Sequence, residues 1–445
     1  MATTVPNQNP PTALAPRDNR FPRFWAGQSV SQFGDRITEL ALPLLAVTTL
    51  DATPAQVATL TALIWAPNLL AILLGSWVDQ QRRKRRLMVL ADLIRAAALL
   101  TLPIGYALGT VPLAQLYAVA LVTGAAGVLF NCAYPSFFAR LVEPADYVRA
   151  NSRLSTSRSA SYVAGPALGG ALIQALTAPV AVVADALSFL VSAVLIGRIP
   201  LDEPQPATGG DDASFVGRAR DGLAFTLRHP VLRAALGCAT TVNFFTFIAQ
   251  GLLVLFAGRT LGLSAGAIGL ALGLGSTGAL LGALLAPRIS RALGMGRTIV
   301  LGAVLFPAPL ALAAVAGGPA WARAATLCAA EFLMGAGVML FDIPLNSLQT
   351  SVIPDEVRSR VSGAFATVNY GIRPLGALTG GLLADLVGLR PTLVLAAFGG
   401  VLAALWLLPS PIPRVRSLDP VAEADADAKA APERDRVADP APAAR

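Results

Sequence analysis

The chain has 445 residues, and its 34 basic and 26 acidic residues make up only 13% of it, about half the charged fraction of an ordinary soluble domain. Residues of the apolar set Ala, Val, Ile, Leu, Met, Phe, Trp, Tyr and Cys make up 55%. This composition excludes a soluble enzyme, a disordered chain and a disulfide-stabilised secreted domain. It predicts an all-α membrane protein that crosses the bilayer many times.

Apolar runs of about 20 residues are long enough to cross a bilayer as helices, and the chain contains twelve of them. Short turns with Gly, Pro or Thr separate several neighbouring runs. The longest polar break follows the sixth run and divides the chain into two six-helix bundles, 24–199 and 234–408. The predicted spans in chain order are 24–49, 55–78, 86–108, 113–139, 156–176, 179–199, 234–257, 266–287, 298–317, 321–348, 363–387 and 391–408.

Three polar segments complete the predicted organisation: an N-terminal tail over 1–23, a linker over 200–233 and a C-terminal tail over 409–445. The C-terminal tail is rich in Pro, Ala and charged residues, a composition typical of disorder. Within the linker, apolar residues recur at intervals of four, which predicts an amphipathic helix on the membrane surface. These residues are Phe215, Ala219, Leu223 and Leu227.

The distribution of Lys and Arg predicts the orientation in the membrane, because cytoplasmic loops carry an excess of both. If both termini are cytoplasmic, twenty-one of these residues lie in the tail and loops on the cytoplasmic side and three lie in loops outside. We therefore expect a multi-pass protein of the inner (cytoplasmic) membrane. The basic charge reports topology, so no nucleic-acid partner is expected.

The two halves carry related sequences. A Val-Glu-Pro segment at 142–144 precedes the fifth span, a Val-Ile-Pro segment at 352–354 precedes the eleventh, and each of these spans then contains a Gly-Gly pair, at 169–170 and 380–381. Repeated halves are typical of secondary transporters, which hold substrate between the repeats.

The end of the second span has a Gly-x-x-x-Asp segment, Gly75 to Asp79, followed by a basic cluster that includes Arg82 and Arg83. It resembles the loop signature of the major facilitator superfamily, although Gln80 and Gln81 replace a basic residue and a glycine. The resemblance implies a gate that breaks and reforms as the two halves move. In the second half the counterpart over 282–291 lacks the aspartate.

The fifth span contains Gly165-Pro166 and Gly169-Gly170, which resemble the antiporter motif of the same superfamily, with Ser161 at its first glycine. Pro166 interrupts the helical hydrogen bonding, and the glycines allow a neighbouring helix to approach closely. The resemblance implies export rather than uptake. A Gly-Ala-Ala-Gly run at 124–127 resembles another family motif, but the arginine that normally precedes it is absent.

Further segments are similar to the branch of the superfamily that contains enterobactin exporters and macrolide efflux pumps. They include Gly34-Asp35-Arg36, the Asp92–Arg95 segment and Arg228-His229-Pro230. The similarity extends over about residues 20–408. It implies proton-driven export across the lipid bilayer without a cofactor. We expect the protein to act as a monomer.

Ionisable residues inside membrane spans are candidates for function, because a charge at the bilayer centre costs about 2.5–3.5 kcal/mol on insertion scales. We predict that Asp35, Glu39 or Glu331 exchanges a proton during transport. Asp35 and Glu39 share one helix face, and Glu39 is also spaced to pair with Arg36. We interpret Asp92 and Arg95, three residues apart, as a structural ion pair.

The predicted function is proton-coupled efflux of lipophilic drugs or siderophore-like compounds by alternating access. The alternative is an importer or facilitator of a small solute with the same fold. No catalytic or metal-binding constellation is present in the sequence, so we expect a transporter and not an enzyme. A small amphipathic substrate favours a cavity lined by aromatic and amide side chains. The candidates are Gln32, Trp65, Asn68, Asn131, Tyr134, Asn243, Phe247, Asn346 and Asn369.

Overall fold

The computed structural model describes residues 19–143, 146–200, 215–354 and 357–417, without the side chains of residues 72, 76, 79, 215–219 and 359. The regular elements of these ranges are helices. They form twelve spans in two six-helix halves, which confirms the predicted fold. The predictions for 1–18, 201–214 and 418–445 lie outside the described residues.

The first half contains spans 1 to 6. Span 2 is interrupted by a 3-10 segment, Ala66–Leu70, and the other five are continuous helices. The helices are Arg20–Leu50 (span 1), Pro54–Trp65 and Ala71–Gln80 (span 2), Lys84–Ala107 (span 3), Leu113–Leu141 (span 4), Tyr147–Ala175 (span 5) and Ala178–Gly197 (span 6).

The second half contains spans 7 to 12 and follows a linker helix, Phe215–Arg228. Four of its spans are built from more than one helical segment. The segments are Pro230–Gln250, Leu253–Leu255 and Phe256–Thr260 (span 7), Ala265–Gly275 and Thr277–Leu293 (span 8), Met295–Leu305 and Pro309–Ala314 (span 9), Ala320–Val352 (span 10), Arg358–Val387 (span 11), and Leu389–Leu402 with Ala403–Trp406 (span 12).

Several helices extend beyond the predicted apolar runs. Span 5 begins at Tyr147 rather than at 156, and span 11 begins at Arg358 rather than at 363. The reason is that hydropathy marks the part of a helix that lies in hydrocarbon, whereas polar turns continue the same helix beyond it. We call the end of the bundle that carries Arg82, Arg83 and the linker helix the basic end, and the end that carries Asp51 the far end.

Eight of the twelve spans have helices that are long and apolar enough to cross a membrane on those criteria alone: spans 3, 4, 6, 7, 8, 9, 10 and 12. The other four are spans 1, 2, 5 and 11. Span 2 is broken into short helices, and spans 1, 5 and 11 carry polar and charged side chains in mid-helix. Since lipid-facing helices must stay apolar, this difference indicates that the four spans line an interior surface.

The two halves pack closely at the far end, through pairs of small residues. A Cβ atom on Gly170 of span 5 would lie 2.9 Å from the Cα of Gly269 in span 8, and one on Gly381 of span 11 would lie 2.7 Å from the Cα of Ala55 in span 2. Neither glycine can be replaced without moving a helix, because such separations are shorter than van der Waals contact. The small residues therefore bring the halves together at this end.

The linker segment forms a helix, Phe215–Arg228, and its position on the membrane surface stays a prediction. Gly222 and Thr226 are buried, whereas Leu227, part of the predicted apolar stripe, is 48% exposed. Gly222 lies against the backbone of Arg360 at the start of span 11, and Phe225 joins an apolar cluster with Leu232. The linker helix therefore packs on spans 7 and 11 through the side that carries Gly222 and Phe225.

Candidate functional site

A cavity of about 680 Å³ lies between the two halves. Its walls come from all six spans of the first half and from spans 7, 8, 10 and 11 of the second. Close helix packing blocks it at the far end. Arg158 and Tyr162, near the middle of span 5, both line the cavity and are exposed, so we assign its opening to the basic end.

Span 1 contributes Asp35, Arg36 and Glu39 to the cavity wall. The Arg36 guanidinium forms a 2.5 Å salt bridge with Glu39, as their spacing predicts, and lies over the ring of Tyr162, 4.1 Å from its centre. Asp35 forms no ion pair within the described part of the chain. Its strongest electrostatic attraction comes from Arg95, followed by Arg36.

The Gly-Pro-Gly-Gly segment of span 5 packs against two different spans. Gly165 leaves room for the Arg36 side chain, and a Cβ on Gly169 would lie 3.1 Å from the Cα of Ile37, so both glycines face span 1. Gly170 faces span 8, and Pro166 lines the cavity. This segment therefore positions the ionisable face of span 1 and also joins the two halves.

Asp185 of span 6 is a site residue that lies within an otherwise uncharged apolar run of the sequence. Its carboxylate is 1% exposed, accepts a hydrogen bond from Ser188 at 3.0 Å and accepts a short one from Thr38 of span 1. Gly34 faces this carboxylate, and any side chain on Gly34 would collide with it. A charge within an otherwise uncharged apolar run was the available signal, but its partners could not be inferred from one helix.

The prediction that Asp92 and Arg95 form an ion pair is wrong. Within the described residues Asp92 takes part in no salt bridge, and it lies fully buried in span 3. Arg95 instead lines the cavity, with its guanidinium 4.9 Å from the ring centre of Phe189. A spacing of three residues allows a pair, but the cavity and the aromatic ring offer Arg95 a better-solvated position.

Arg95 reaches the surface of span 4 beside the glycine-rich run. A Cβ atom on Gly127 would lie 2.6 Å from a terminal nitrogen of the Arg95 guanidinium. Span 4 lacks the arginine that precedes this run in the family motif. The structure therefore supplies a guanidinium at this wall from the neighbouring helix.

The second half contributes two ionisable side chains to the cavity, Glu331 of span 10 and Arg373 of span 11. The Arg373 guanidinium lies 4.3 Å from the ring centre of Trp65, 4.8 Å from that of Phe247 and 4.4 Å from that of Tyr370. It also donates a 3.1 Å hydrogen bond to Asn243, whose amide donates to Asn369. Trp65 belongs to the first half, so this cation–π cluster joins the two halves inside the cavity.

The predicted cavity residues fall into three groups. Trp65, Asn68, Asn131 and Phe247 line the cavity. Asn243 and Asn369 lie behind it, in the hydrogen-bonded group that holds Arg373. Gln32, Tyr134 and Asn346 do not belong to the lining; for example, Tyr134 stacks on Phe138, at 5.8 Å between ring centres.

The predicted gate lies at the basic end, outside the cavity. Gly75 packs near span 4, where a Cβ atom would lie 3.8 Å from the sulfur of Cys132. Arg82 and Arg83 are exposed. The Asp79 side chain lies outside the described residues, so its role as a latch stays a prediction.

Comparisons with known proteins agree with this architecture. The family model of the Major Facilitator Superfamily matches residues 24–377. An uncharacterized MFS-type transporter, YfiS of Bacillus subtilis (strain 168), is 26% identical over 372 residues and covers 82% of this chain and 86% of its own length. The multidrug efflux pump Tap of Mycobacterium tuberculosis (strain ATCC 25618 / H37Rv) is also 26% identical, over 427 residues, which covers 92% of this chain and 97% of Tap.

Solved structures show the same fold at low sequence identity. The nucleoside transporter NupG superimposes with a TM-score of 0.70 at 13% identity, over 88% of this chain and 98% of NupG. A bacterial homologue of the human lysosomal transporter Spinster, in an inward-facing and unoccupied conformation, gives a TM-score of 0.64 at 16% identity, over 90% and 98% of the two chains.

Proposed function

The chain belongs to the major facilitator superfamily, and on that basis we propose that it is a secondary active transporter that exports lipophilic small molecules in exchange for protons. Proteins of this superfamily are transporters and not enzymes. The observation that carries the proposal is the cavity between the halves, blocked at the far end and lined on span 1 by three ionisable side chains. The similarity to a multidrug efflux pump supports export as the direction of transport and lipophilic small molecules as the kind of substrate.

In the proposed orientation, the basic end faces the cytoplasm and the protein lies in the inner membrane. The excess of Lys and Arg in the loops at this end supports this orientation. The cavity then opens to the cytoplasm, where an exporter takes up its substrate. A lipophilic molecule reaches the aromatic wall near Trp65 and Phe247 by that route.

Alternating access requires the far end to open while the basic end closes. In the proposed movement, the small-residue contacts of span 5 with span 8 and of span 2 with span 11 separate. Such contacts carry little side-chain interlocking, so two helices can rock on them as rigid bodies. The exposed salt bridge between Asp51 and Arg259, 3.2 Å long, breaks in the same step.

We propose that Asp35 carries the exchanged proton. It lines the cavity, is attracted by Arg95 and Arg36, and has no direct ion-pair partner within the described residues, whereas Glu39 is paired with Arg36. A protonated Asp35 attracts Arg95 less strongly, which frees the guanidinium to shift as the halves move. Release of the proton to the cytoplasm restores that attraction and resets the cavity.

Transport in cells tests the direction of movement. Cells that overexpress the chain should accumulate less of at least one lipophilic dye from a panel of neutral and cationic probes than cells that lack it, and a protonophore should abolish the difference. The reason is that export against a gradient depends on the proton-motive force. Greater accumulation on overexpression would contradict export and support an importer of the same fold.

A further inference from the structure

We propose that Glu331 selects the charge of the substrate, and that the pump binds amphipathic organic cations by placing their positive charge against this carboxylate. The inference rests on the proposed transport function and assigns to Glu331 a role different from proton exchange. It follows from a contrast among the carboxylates that line the cavity.

Two of the three cavity carboxylates of the first half have an ion-pair or hydrogen-bond partner, and the third is attracted by arginines. Glu39 is paired with Arg36 at 2.5 Å, and Asp185 accepts hydrogen bonds from Ser188 and Thr38. Asp35 is attracted by both Arg95 and Arg36. Each carboxylate on this wall therefore has an arginine or a hydroxyl donor of the protein that interacts with it.

Glu331 has no such partner among the described residues, because it takes part in no salt bridge or side-chain hydrogen bond. An ionised carboxylate in an apolar environment is costly unless a cation offsets its charge. An organic cation placed against Glu331 would offset this charge.

The neighbouring helix fixes Glu331 in place. Gly275 of span 8 lies against the Cβ of Glu331, and a Cβ atom on Gly275 would lie 3.0 Å from the carbonyl oxygen of Cys328. Only a glycine allows span 8 to approach span 10 this closely. The backbone of Glu331 therefore belongs to a tightly packed pair of helices, which limits where its carboxylate can lie.

The rest of this wall matches the apolar part of such a ligand. Phe247, Leu253 and Val254 of span 7 and Leu272 of span 8 line the same cavity. The one arginine of this wall, Arg373, lies against three rings and Asn243 and forms no salt bridge with Glu331 in the described part of the chain. A cavity of about 680 Å³ is in the range that holds drug-sized ligands.

A pair of probes of similar shape and opposite charge tests this inference. Tetraphenylphosphonium and tetraphenylborate binding should be measured with the purified full chain in detergent, by equilibrium dialysis. We expect the wild type to prefer the cation, and Glu331→Gln to weaken cation binding by about tenfold or more, because it removes the negative charge that attracts the phosphonium. Tetraphenylborate binding should not weaken.

Two variants serve as controls. Glu331→Asp retains the charge and should restore most of the cation affinity. Asp385→Asn removes one negative charge from an exposed position on span 11 that does not line the cavity, and should leave cation binding unchanged. If Glu331→Gln does not fold, the preference of the wild type for the cation over the anion still decides the question.

Equal binding of the two probes by the wild type, or unchanged cation binding by Glu331→Gln, would overturn the inference. The assay needs no membrane and no proton gradient, so it separates this inference from the transport proposal. Glu331-dependent cation binding without proton-driven export would refute the proposed function alone. Proton-driven export with charge-independent binding would refute the role of Glu331 alone.

Discussion

The two walls of the cavity differ in how they hold charge. The first-half wall places Asp35, Arg36, Glu39, Arg95 and Asp185 in a connected group of opposite charges. The second-half wall is apolar, with an enclosed Arg373 and an unpaired Glu331. A network of balanced charges can respond to one proton, whereas an isolated charge on an apolar surface can select a ligand. This difference supports our proposals that protons exchange at the first wall and that the second wall recognises the substrate.

The largest effect should come from crowding the first wall. Gly34→Ala places a methyl group against the Asp185 carboxylate and the Ser188 side chain, and we expect it to lower the free energy of unfolding by about 2–3 kcal/mol, as overpacking does. The measurement is thermal unfolding in detergent. Gly75→Ala is the matched control because its Cβ meets only Cys132 at 3.8 Å. An equal loss of stability in both variants would contradict the predicted collision with Asp185 and Ser188.

Removing one hydrogen bond from the same wall should have a smaller effect. Thr38→Val leaves one oxygen of the buried Asp185 carboxylate without its donor, at a cost of about 1–3 kcal/mol. Thr48→Val is the control, since Thr48 donates only to the Leu44 carbonyl within its own helix. Similar denaturation midpoints for the two variants would show that the Thr38 hydroxyl does not stabilise Asp185.

Weakening the aromatic contacts of Arg373 should lower the free energy of unfolding by less than the loss of the Thr38 hydroxyl does. Trp65→Phe retains an aromatic ring but reduces the cation–π attraction to Arg373 at 4.3 Å, and we expect a loss of about 1 kcal/mol in unfolding free energy. Trp77→Phe, in the same span but 47% exposed, provides the comparison. A greater loss in Trp77→Phe would mean that ring size, and not the contact with Arg373, controls stability.

The smallest effect is expected outside both walls, at the far end. Asp51→Asn removes the salt bridge with Arg259. Because the Asp51 side chain is fully exposed, solvent and salt screen this pair, and the unfolding curve should superimpose on that of the wild type. A clear shift at low ionic strength would show that the far-end closure depends on this ion pair as well as on small-residue packing.

The sequence predicted the fold because the signal for it is local. Each span is an apolar run of sufficient length, and the polar break after span 6 separates the halves whatever their packing. The Arg36–Glu39 pair was also predictable, since both residues lie on one helix within a single turn. Contacts between different helices were harder to predict. The partners of Asp185, for example, lie on span 1 as well as on span 6.

The rotation of each helix was the main source of error. A polar residue within a span does not by itself show which side of the helix meets the cavity, so Gln32 and Tyr134 were predicted to line it and do not. Arg95 faced the same ambiguity: a spacing of three residues from Asp92 suits an ion pair, but the position of Gly127 on span 4 makes room for the guanidinium at the cavity. Only the packing of three helices decides between these positions.

Proton exchange at Asp35 is the central claim, and substrate-induced proton movement in inverted membrane vesicles tests it most directly. In wild-type vesicles, addition of a transported substrate should partly dissipate an imposed proton gradient, which a pH-sensitive fluorescent dye reports. Asp35→Asn should abolish this response while the purified variant still binds substrate, and Glu331→Asp should retain it. Wild-type proton movement in Asp35→Asn would contradict the account.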